Sequence, residues 1–282
     1  MSAVQADARA DGREAGAPAR PRVAVFKLSS CDGCQLQLLD AEEALLELAR
    51  AVDIVLFREA RGRSEPGPYD LAIVEGSIST PRQLEEIKEI RASARFLIAV
   101  GACALSGGIQ ALRNAVEYGD TVARVYPTPA YVRALATSTP VSDHVRVDLE
   151  LPGCPVDRGQ LLGALAALLG GHLPRRSTAP VCAECKRRGY VCVVVARGEP
   201  CLGPVTNTGC GAICPGMGRG CYGCFGPSQP PNVAALVRRF EELGDAPERA
   251  RDRFRLITSS APAFRDGLAA SAGEPGRTEV TP

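Results

Sequence analysis

The chain has 282 residues, and its 33 basic and 32 acidic residues leave a formal net charge of +1. Proteins that bind nucleic acid usually present a basic stripe or aromatic stacking platforms. Aromatic residues make up only 5% of this chain and tryptophan is absent, so composition excludes nucleic acid as an expected partner.

The N-terminal segment gives no signal for export. Residues 1–21 mix alanine, glycine, proline and charge without an apolar run, and we interpret them as a disordered leader. They contain neither a secretory hydrophobic region nor a twin-arginine pair. The longest apolar stretch, residues 161–169, is too short to span a bilayer. We therefore expect a cytoplasmic protein without a membrane anchor.

From Arg22 onward, apolar runs of strand length alternate with helical stretches. Predicted strands cover residues 23–26, 52–57, 71–74, 96–100 and 145–149. Leucines between residues 36 and 48 recur at roughly helical spacing, and residues 161–169 predict a buried helix. Thr80, Pro81 and Gln83 predict a capped helix start. Strands alternating with helices predict an α/β fold with a doubly wound parallel sheet, which we assign to residues 22–173.

The C-terminal part differs in composition. Residues 174–230 are dense in cysteine, glycine and proline, and only residues 191–196 resemble a strand. Such a segment buries too little apolar surface to fold alone, so we expect bound metal to organise a small irregular domain. Residues 231–282 begin with a predicted helix over residues 233–243 and then become a polar tail.

Twelve cysteines fall into three groups of four, with none left over. The first group is Cys31, Cys34, Cys103 and Cys154; the second is Cys182, Cys185, Cys192 and Cys201; the third is Cys210, Cys214, Cys221 and Cys224. Four thiolates are the usual ligands of one 4Fe-4S cluster, so the count predicts three clusters and electron transfer. A disulfide scaffold is disfavoured, because that pattern is typical of small secreted domains.

The first group follows the ends of predicted strands. Cys31 and Cys34 come after the first strand, Cys103 follows residues 96–100, and Cys154 follows residues 145–149. The carboxyl ends of parallel strands share one edge, where open α/β sheets bind their ligands. Glycines at the same edge let backbone approach a bulky cluster. We therefore expect these four cysteines to converge on one site.

Alternatives remain for each group. Phosphate could use the glycine-rich turns, but neither a G-x-x-x-x-G-K-[ST] nor a G-x-G-x-x-G string is present. Cys31 and Cys34 alone also fit a redox dithiol or half of a zinc site. Zinc competes for the other eight cysteines as well. Ligand allocation in sequence order is our prediction, although a swap between Cys201 and Cys210 is compatible with the spacing.

Several motifs together resemble the small subunit of nickel-iron hydrogenases. They are SCDGCQLQL at residues 30–38, EGS at 75–77, VGACA at 100–104 with Gly107 and Gly108, GCP at 153–155, and EPCLGP at 199–204 leading to Cys210. The match is strongest to the cytoplasmic, NAD(P)-linked sulfhydrogenase type, whose small subunit is called delta. The resemblance covers roughly residues 22–230.

The resemblance implies a flavodoxin-like domain that holds a proximal cluster on the first group. A small irregular iron-sulfur domain would follow, with the distal cluster on the second group and the medial cluster on the third. Many membrane-linked or periplasmic relatives have histidine in place of Cys182 and lack one medial cysteine. The cysteines present here therefore imply three 4Fe-4S clusters.

Two acidic or polar positions near the first group differ in what they imply. Relatives usually have Cys-Thr-Gly-Cys-Ser-Glu where this chain has Asp32 and Gln35, so a proton-handling role for the residue after Cys34 is not carried over. Glu75 has two interpretations. It either handles protons at a subunit interface or is a strand-end acid that accepts backbone hydrogen bonds.

The leading hypothesis is an electron-transfer subunit whose hydrogen chemistry lies on a partner chain. The chain lacks R-x-C-G-x-C and D-P-C-x-x-C-x-x-H, the large-subunit motifs that bind nickel and iron. The resemblance implies a nickel-iron large subunit and iron-sulfur and flavin diaphorase subunits that use NADP or NAD; hydrogen oxidation, hydrogen evolution and sulfur reduction all fit. Alternatives are a stand-alone iron-sulfur carrier, a quinone-reductase-like subunit and a zinc-stabilised structural subunit.

Overall fold

The computed structural model describes residues 20–175 and 177–273. All but the last two residues of the predicted leader lie outside these ranges. Five parallel strands form one sheet in the order β2-β1-β3-β4-β5. They are β1 Arg22–Lys27, β2 Asp53–Phe57, β3 Tyr69–Glu75, β4 Ala94–Val100 and β5 Leu149–Leu151. This is the flavodoxin strand order, so the predicted doubly wound parallel sheet is confirmed.

Twelve α-helices are present in the described residues. They are α1 Gly33–Leu39, α2 Glu43–Ala51, α3 Pro81–Ser93, α4 Gly101–Ser106, α5 Tyr118–Val125, α6 Arg158–Leu169, α7 Val181–Arg187, α8 Val193–Arg197, α9 Ile213–Gly216, α10 Val233–Glu242, α11 Pro247–Asp252 and α12 Pro262–Gly273. Three short 3₁₀ helices cover Gly108–Ala115, Pro129–Tyr131 and Val141–Asp143.

Both faces of the sheet are covered by apolar packing. One face places Val25, Ile73 and Ile98 in a core with Leu161 and Leu165 of α6. The opposite face forms a second core in which Val74 and Leu97 accompany Ile87 and Ile90 of α3. Burial on both faces explains why β1, β3 and β4 are nearly continuous apolar runs.

Helix α3 begins where its sequence predicts. The Thr80 hydroxyl accepts a hydrogen bond from the Gln83 N–H at 3.2 Å, and the Gln83 side chain accepts one from the Thr80 N–H at 3.1 Å. This reciprocal capping box satisfies two otherwise free donors at the helix start. The leucine-rich stretch before it is interrupted, because residues 40–42 separate α1 from α2.

The last strand of the sheet is shorter and later than predicted. Only Leu149–Leu151 pairs with β4, whereas residues 145–149 were expected to form the strand. Asp148 explains the start: its carboxylate accepts the Leu97 N–H at 2.9 Å and an Arg91 guanidinium N–H at 2.5 Å. The approaching chain is thus held by side-chain bonds, and Cys154 still follows the carboxyl end of β5.

The cysteine-rich segment folds as short helices and turns around a shared core. Residues 193–197 are helical, so the predicted strand over residues 191–196 is wrong. Val181, Val193 and Leu202 pack in one cluster with Phe240 and Phe264 of the C-terminal helices. The segment interpreted as a polar tail therefore contributes two further helices, α11 and α12, and part of this core.

No helix within residues 20–175 and 177–273 is long and apolar enough to cross a membrane.

Candidate metal centres

The first four cysteines follow the carboxyl ends of β1, β4 and β5, at the edge of the sheet where its strand order reverses. Strands β1 and β3 lie side by side there, and open α/β sheets bind ligands beyond that point. Burial raises the pKa of the Cys34 thiol above its ordinary value, and the neighbouring charges of Cys103 and Cys154 raise it further. Burial is the main cause that raises the pKa of Cys154, and the charge of Cys31 raises it further. These couplings are consistent with thiols that lie near one another, and their joint ligation of one cluster remains a prediction.

Glycines at this edge leave room next to the sulfur atoms. A Cβ on Gly101, whose φ is +82°, would overlap the Sγ atom of Cys34. A Cβ on Gly108, whose φ is +63°, would lie 2.6 Å from the Sγ atom of Cys103. The Val156 N–H also points at the Cys34 Sγ, with a 3.4 Å separation. Open backbone and an N–H directed at sulfur fit a bulky thiolate-ligated cluster.

We expect Gly101→Ala to impair loading of this site. The added methyl group would collide with the Cys34 sulfur, in a backbone conformation that disfavours any side chain. Iron content should fall by about four atoms per chain, measured together with acid-labile sulfide. Gly163→Ala is the matched control, because a Cβ there meets nothing within 4 Å. Equal iron content in the two variants would contradict the expectation.

Glu75 is a buried acid directly behind Cys34. It ends β3, is 2% exposed, and accepts hydrogen bonds from the backbone N–H groups of Cys34 at 3.1 Å and Gln35 at 3.3 Å. Burial raises its pKa, while the hydrogen bonds from Gln35 and Cys34 oppose that rise. Of the two roles considered for Glu75, the backbone-holding one is observed; a role in proton handling remains a prediction.

One residue near the first group was missed by sequence analysis. Gln110 donates from its side-chain amide to the Ser29 carbonyl at 2.7 Å, and its amide oxygen accepts from the Cys103 Sγ at 3.4 Å. It thereby connects the loop before Cys31 to Cys103. Its position in the 3₁₀ helix after Gly108 was the available signal, but an isolated glutamine carries no recognisable motif.

The second group of cysteines also converges. Burial raises the pKa of Cys182 to about 11, and the charges of Cys201, Cys185 and Cys192 contribute in that order. The Cys201 Sγ accepts from the N–H groups of Gly203 at 3.4 Å and Cys221 at 3.2 Å. These four thiols come from α7, from the residue that precedes α8, and from the turn at residue 201.

The third group lies between the other two. The pKa of Cys224 is raised to about 12, mainly by burial and then by the charges of Cys210, Cys154 and Cys214. Burial also raises the pKa of Cys221 to about 12, and the charges of Cys201 and Cys224 add to it. Cys224 thus adjoins the first group through Cys154, while Cys221 adjoins the second group through Cys201.

All twelve cysteines are free thiols rather than disulfides. Within the described ranges, no three His, Cys, Asp or Glu side chains are placed to ligate one metal ion. A 4Fe-4S cluster distributes its four cysteines over several iron atoms, so it does not require them to meet at a single ion.

Comparison with known proteins identifies the family. Residues 31–168 match the family described as NADH ubiquinone oxidoreductase, 20 Kd subunit. The chain is 38% identical over 231 residues to the sulfhydrogenase 2 subunit delta of Pyrococcus furiosus, covering 82% of this chain and 96% of that subunit. This chain belongs to the hydrogenase small-subunit family. The resemblance inferred from the sequence motifs is thereby confirmed.

Further relatives of this small-subunit family agree. The NAD-reducing hydrogenase HoxS subunit delta of Cupriavidus necator is 30% identical over 166 residues, covering 54% of this chain and 79% of that subunit. A solved NAD⁺-reducing [NiFe]-hydrogenase chain in the H2-reduced state has a TM-score of 0.52 and 30% identity, covering 55% of this chain and 94% of that one. An actinobacterial-type NiFe-hydrogenase chain from Ralstonia eutropha H16 is similar in fold, with a TM-score of 0.54 over 93% of this chain and 94% of that one at 19% identity.

Proposed function

We propose that this chain relays electrons through three 4Fe-4S clusters within a nickel-iron hydrogenase. The proximal cluster would be held by Cys31, Cys34, Cys103 and Cys154, the medial by Cys210, Cys214, Cys221 and Cys224, and the distal by Cys182, Cys185, Cys192 and Cys201. Bound clusters of this type supply one-electron oxidation and reduction. A large subunit would carry the nickel-iron site, and a diaphorase module of iron-sulfur and flavin subunits would exchange the electrons with NADP or NAD.

The observation that carries this proposal is the order of the three cysteine groups in space. The charge of Cys154 in the first group raises the pKa of Cys224 in the third group. The backbone N–H of Cys221 in the third group donates to the sulfur of Cys201 in the second group. The order first, third, second is that of a relay with a medial centre. Cys201 adjoins members of the second group and Cys210 adjoins Cys224, which supports allocation without a ligand swap.

The residues of this chain have two tasks in that role. The thiols are buried enough to raise their pKa values, so ligation replaces protons on groups that would otherwise stay neutral. The N–H groups of Val156, Gly203 and Cys221 direct partial positive charge at sulfur, which favours the thiolate state.

A large-subunit partner is further supported by exposed apolar side chains close in sequence to cysteines of the first group. Leu36 in α1 is 50% exposed, and Ile109 in the 3₁₀ helix after Cys103 is 61% exposed. Leu112 and Val116 continue this exposed row. Neighbouring exposed apolar residues of this kind are typical of an interaction surface. They support an interface next to Cys31 and Cys103.

Isolation of the native complex through a tag on this chain tests the proposal. We expect a nickel-containing partner, flavin-containing subunits, and about twelve iron and twelve sulfide per copy of this chain. Hydrogen-dependent reduction of NADP or NAD should follow. A zinc-containing chain without iron would overturn the cluster assignment, and a fully loaded chain that purifies alone would favour the stand-alone carrier. A complex that has the clusters and a nickel-containing partner but does not reduce NADP or NAD would support the electron relay and contradict the link to a diaphorase module.

A further inference from the structure

A cavity of about 420 Å³ lies between α6 and the cysteine-rich segment. Its lining includes Glu184 of α7 together with Asn207 and Thr208, which stand in the loop before Cys210. Asn207 and Thr208 are only 5% and 6% exposed, and Glu184 is half-buried. We call Glu184, Asn207 and Thr208 the oxygen triad, because each of them has a buried oxygen atom without a hydrogen-bond partner.

Hydrogen bonds hold the loop of the oxygen triad against α7. The Thr208 N–H donates to the Ala179 carbonyl at 2.9 Å, just before α7 begins. Farther along the helix, the Oε1 atom of Glu184 accepts the Gly209 N–H at 3.1 Å. The loop is therefore fixed to the helix at two points, and the three side chains are neighbours although the loop and the helix are far apart in sequence.

The unpartnered atoms of the triad are Glu184 Oε2, Asn207 Oδ1 and Thr208 Oγ1. Within residues 20–175 and 177–273, seven buried side-chain nitrogen or oxygen atoms lack a partner, and three of them belong to this triad. Native proteins leave few such atoms unpaired, because burial removes their bonds to water. Three in one place indicate a bound group that supplies the missing interaction.

The charge of Glu184 also lies close to a thiol of the third group. Burial raises the pKa of Cys210, and the charge of Glu184 raises it further. Glu199 provides a contrast in the same segment, because it has a cation nearby. The pKa of Arg253 is raised mainly by its hydrogen bond to Asp245, and the charge of Glu199 adds to that rise. A positive charge beside Glu184 would remove the difference between the two acids.

We propose that the oxygen triad binds one hard divalent cation, Mg²⁺ or Ca²⁺, through Glu184 Oε2, Asn207 Oδ1 and Thr208 Oγ1. Carboxylate and amide oxygens are ligands of both ions, and threonine hydroxyls bind Mg²⁺ in nucleotide-binding loops. Iron and zinc sites favour sulfur and nitrogen ligands, which the triad lacks. The cation neutralises Glu184 and joins the second-group cysteines of α7 to the loop before Cys210, while water in the cavity completes its coordination.

An arginine on the wall of the cavity is the rival partner for these oxygens. Arg187 lines the same cavity, and its guanidinium could pair with Glu184 in place of a cation. In the structure the Arg187 side chain is exposed, and its Nε donates to the Ala183 carbonyl at 3.3 Å. The variant Arg187→Gln separates the two explanations. It should not weaken cation binding, because it removes a competing positive charge.

The test measures binding of Ca²⁺ to the native complex isolated through a tag on this chain. The complex is stripped with a chelator of hard cations and dialysed to equilibrium against radioactive calcium at constant ionic strength, with Mg²⁺ as competitor. Wild-type complex should bind about one more Ca²⁺ per copy of this chain than the Glu184→Gln complex. This difference removes the contribution of other subunits. With one charged ligand, we expect a Kd of about 10⁻⁴–10⁻³ M.

The matched control is Glu199→Gln. It removes the same charge from the same segment, and Glu199 also accepts a backbone N–H, that of Gly220 at 3.0 Å. Calcium binding should therefore equal that of the wild type. Asn207→Asp adds a second carboxylate to the triad and should tighten binding about 10-fold, whereas Thr208→Val should weaken it about 3- to 10-fold. Iron content verifies that each variant has folded and loaded.

Three outcomes would overturn the proposal. They are equal calcium binding in Glu184→Gln and Glu199→Gln, unchanged affinity in Asn207→Asp, and weaker binding in Arg187→Gln. A wild-type complex without the additional Ca²⁺ or Mg²⁺ would overturn it as well, and would assign the missing contacts to water or to Arg187. None of these measurements uses hydrogen or a nicotinamide, so failure of the proposed electron relay would be a separate result.

Discussion

Electron transfer through the complex is expected to fail when Cys224 is replaced by alanine. Cys224 is a half-buried thiol of the third group, and the charge of Cys154 in the first group acts on it directly. In the proposed relay, its loss removes one of the four ligands of the medial cluster. Iron content should fall by about four atoms per chain. Hydrogen-dependent dye reduction should fall by about 100-fold or more, since the path has no parallel branch.

The informative control measures hydrogen chemistry without the relay. Exchange between H2 and deuterated water at the partner's site should persist in Cys224→Ala, because it needs no electron exit. Cys192→Ala, at the exposed end, should also lose about four iron atoms yet keep the spectroscopic signals of the other two clusters. Loss of exchange activity in Cys224→Ala at normal complex yield would contradict a pure relay role. Unchanged dye reduction would contradict the medial assignment.

Replacing Glu75 with alanine is expected to destabilise the first cysteine site strongly. The substitution leaves the buried N–H groups of Cys34 and Gln35 without acceptors, and each such donor costs about 1–3 kcal/mol. The loop carrying Cys31 and Cys34 should therefore lose its fixed position. Thermal melting of the apo chain and iron content of the loaded chain should both fall, and Glu75→Gln should be intermediate because its amide retains one acceptor oxygen.

Asp70→Ala is the matched control on the same strand. Asp70 also accepts a backbone N–H, from Arg22 at 2.8 Å, but it is exposed at the opposite end of β3. Water can replace that bond, so the loss should stay below about 1 kcal/mol. Similar melting temperatures for the two alanine variants would show that the hydrogen bonds of Glu75 do not hold the cysteine loop.

Much of this architecture follows from local sequence. The apolar runs of β1, β3 and β4 are buried on both faces, and such strands have a recognisable pattern. The Thr80 and Gln83 capping box is likewise a local signal. The positions of Cys34, Cys103 and Cys154 after the carboxyl ends of strands were also predictable from these runs. In each case a pattern within a few residues determines the conformation.

The sequence predictions fail for segments whose conformation depends on contacts with residues far away in the chain. Residues 191–196 are rich in valine and predict a strand, yet within residues 20–175 and 177–273 no strand lies beside them, and Val193 packs into the core shared with Phe240. The start of β5 depends on the contacts of Asp148 with Arg91 and Leu97, which are more than 50 residues away in sequence. The hydrogen bonds from Cys34 and Gln35 to Glu75 also join residues that are far apart in the sequence. The EGS motif alone was therefore compatible with either proton handling or a backbone-holding role for Glu75.

The core shared by the cysteine-rich segment and the C-terminal helices has a consequence for biosynthesis. Val181, Val193 and Leu202 share their core with Phe240, Phe254 and Phe264, which are translated after them. The eight cysteines of the second and third groups are thus translated before the C-terminal residues that complete this core. We expect their clusters to be inserted after Phe264 has been translated, and a chain truncated at residue 230 to accumulate without them.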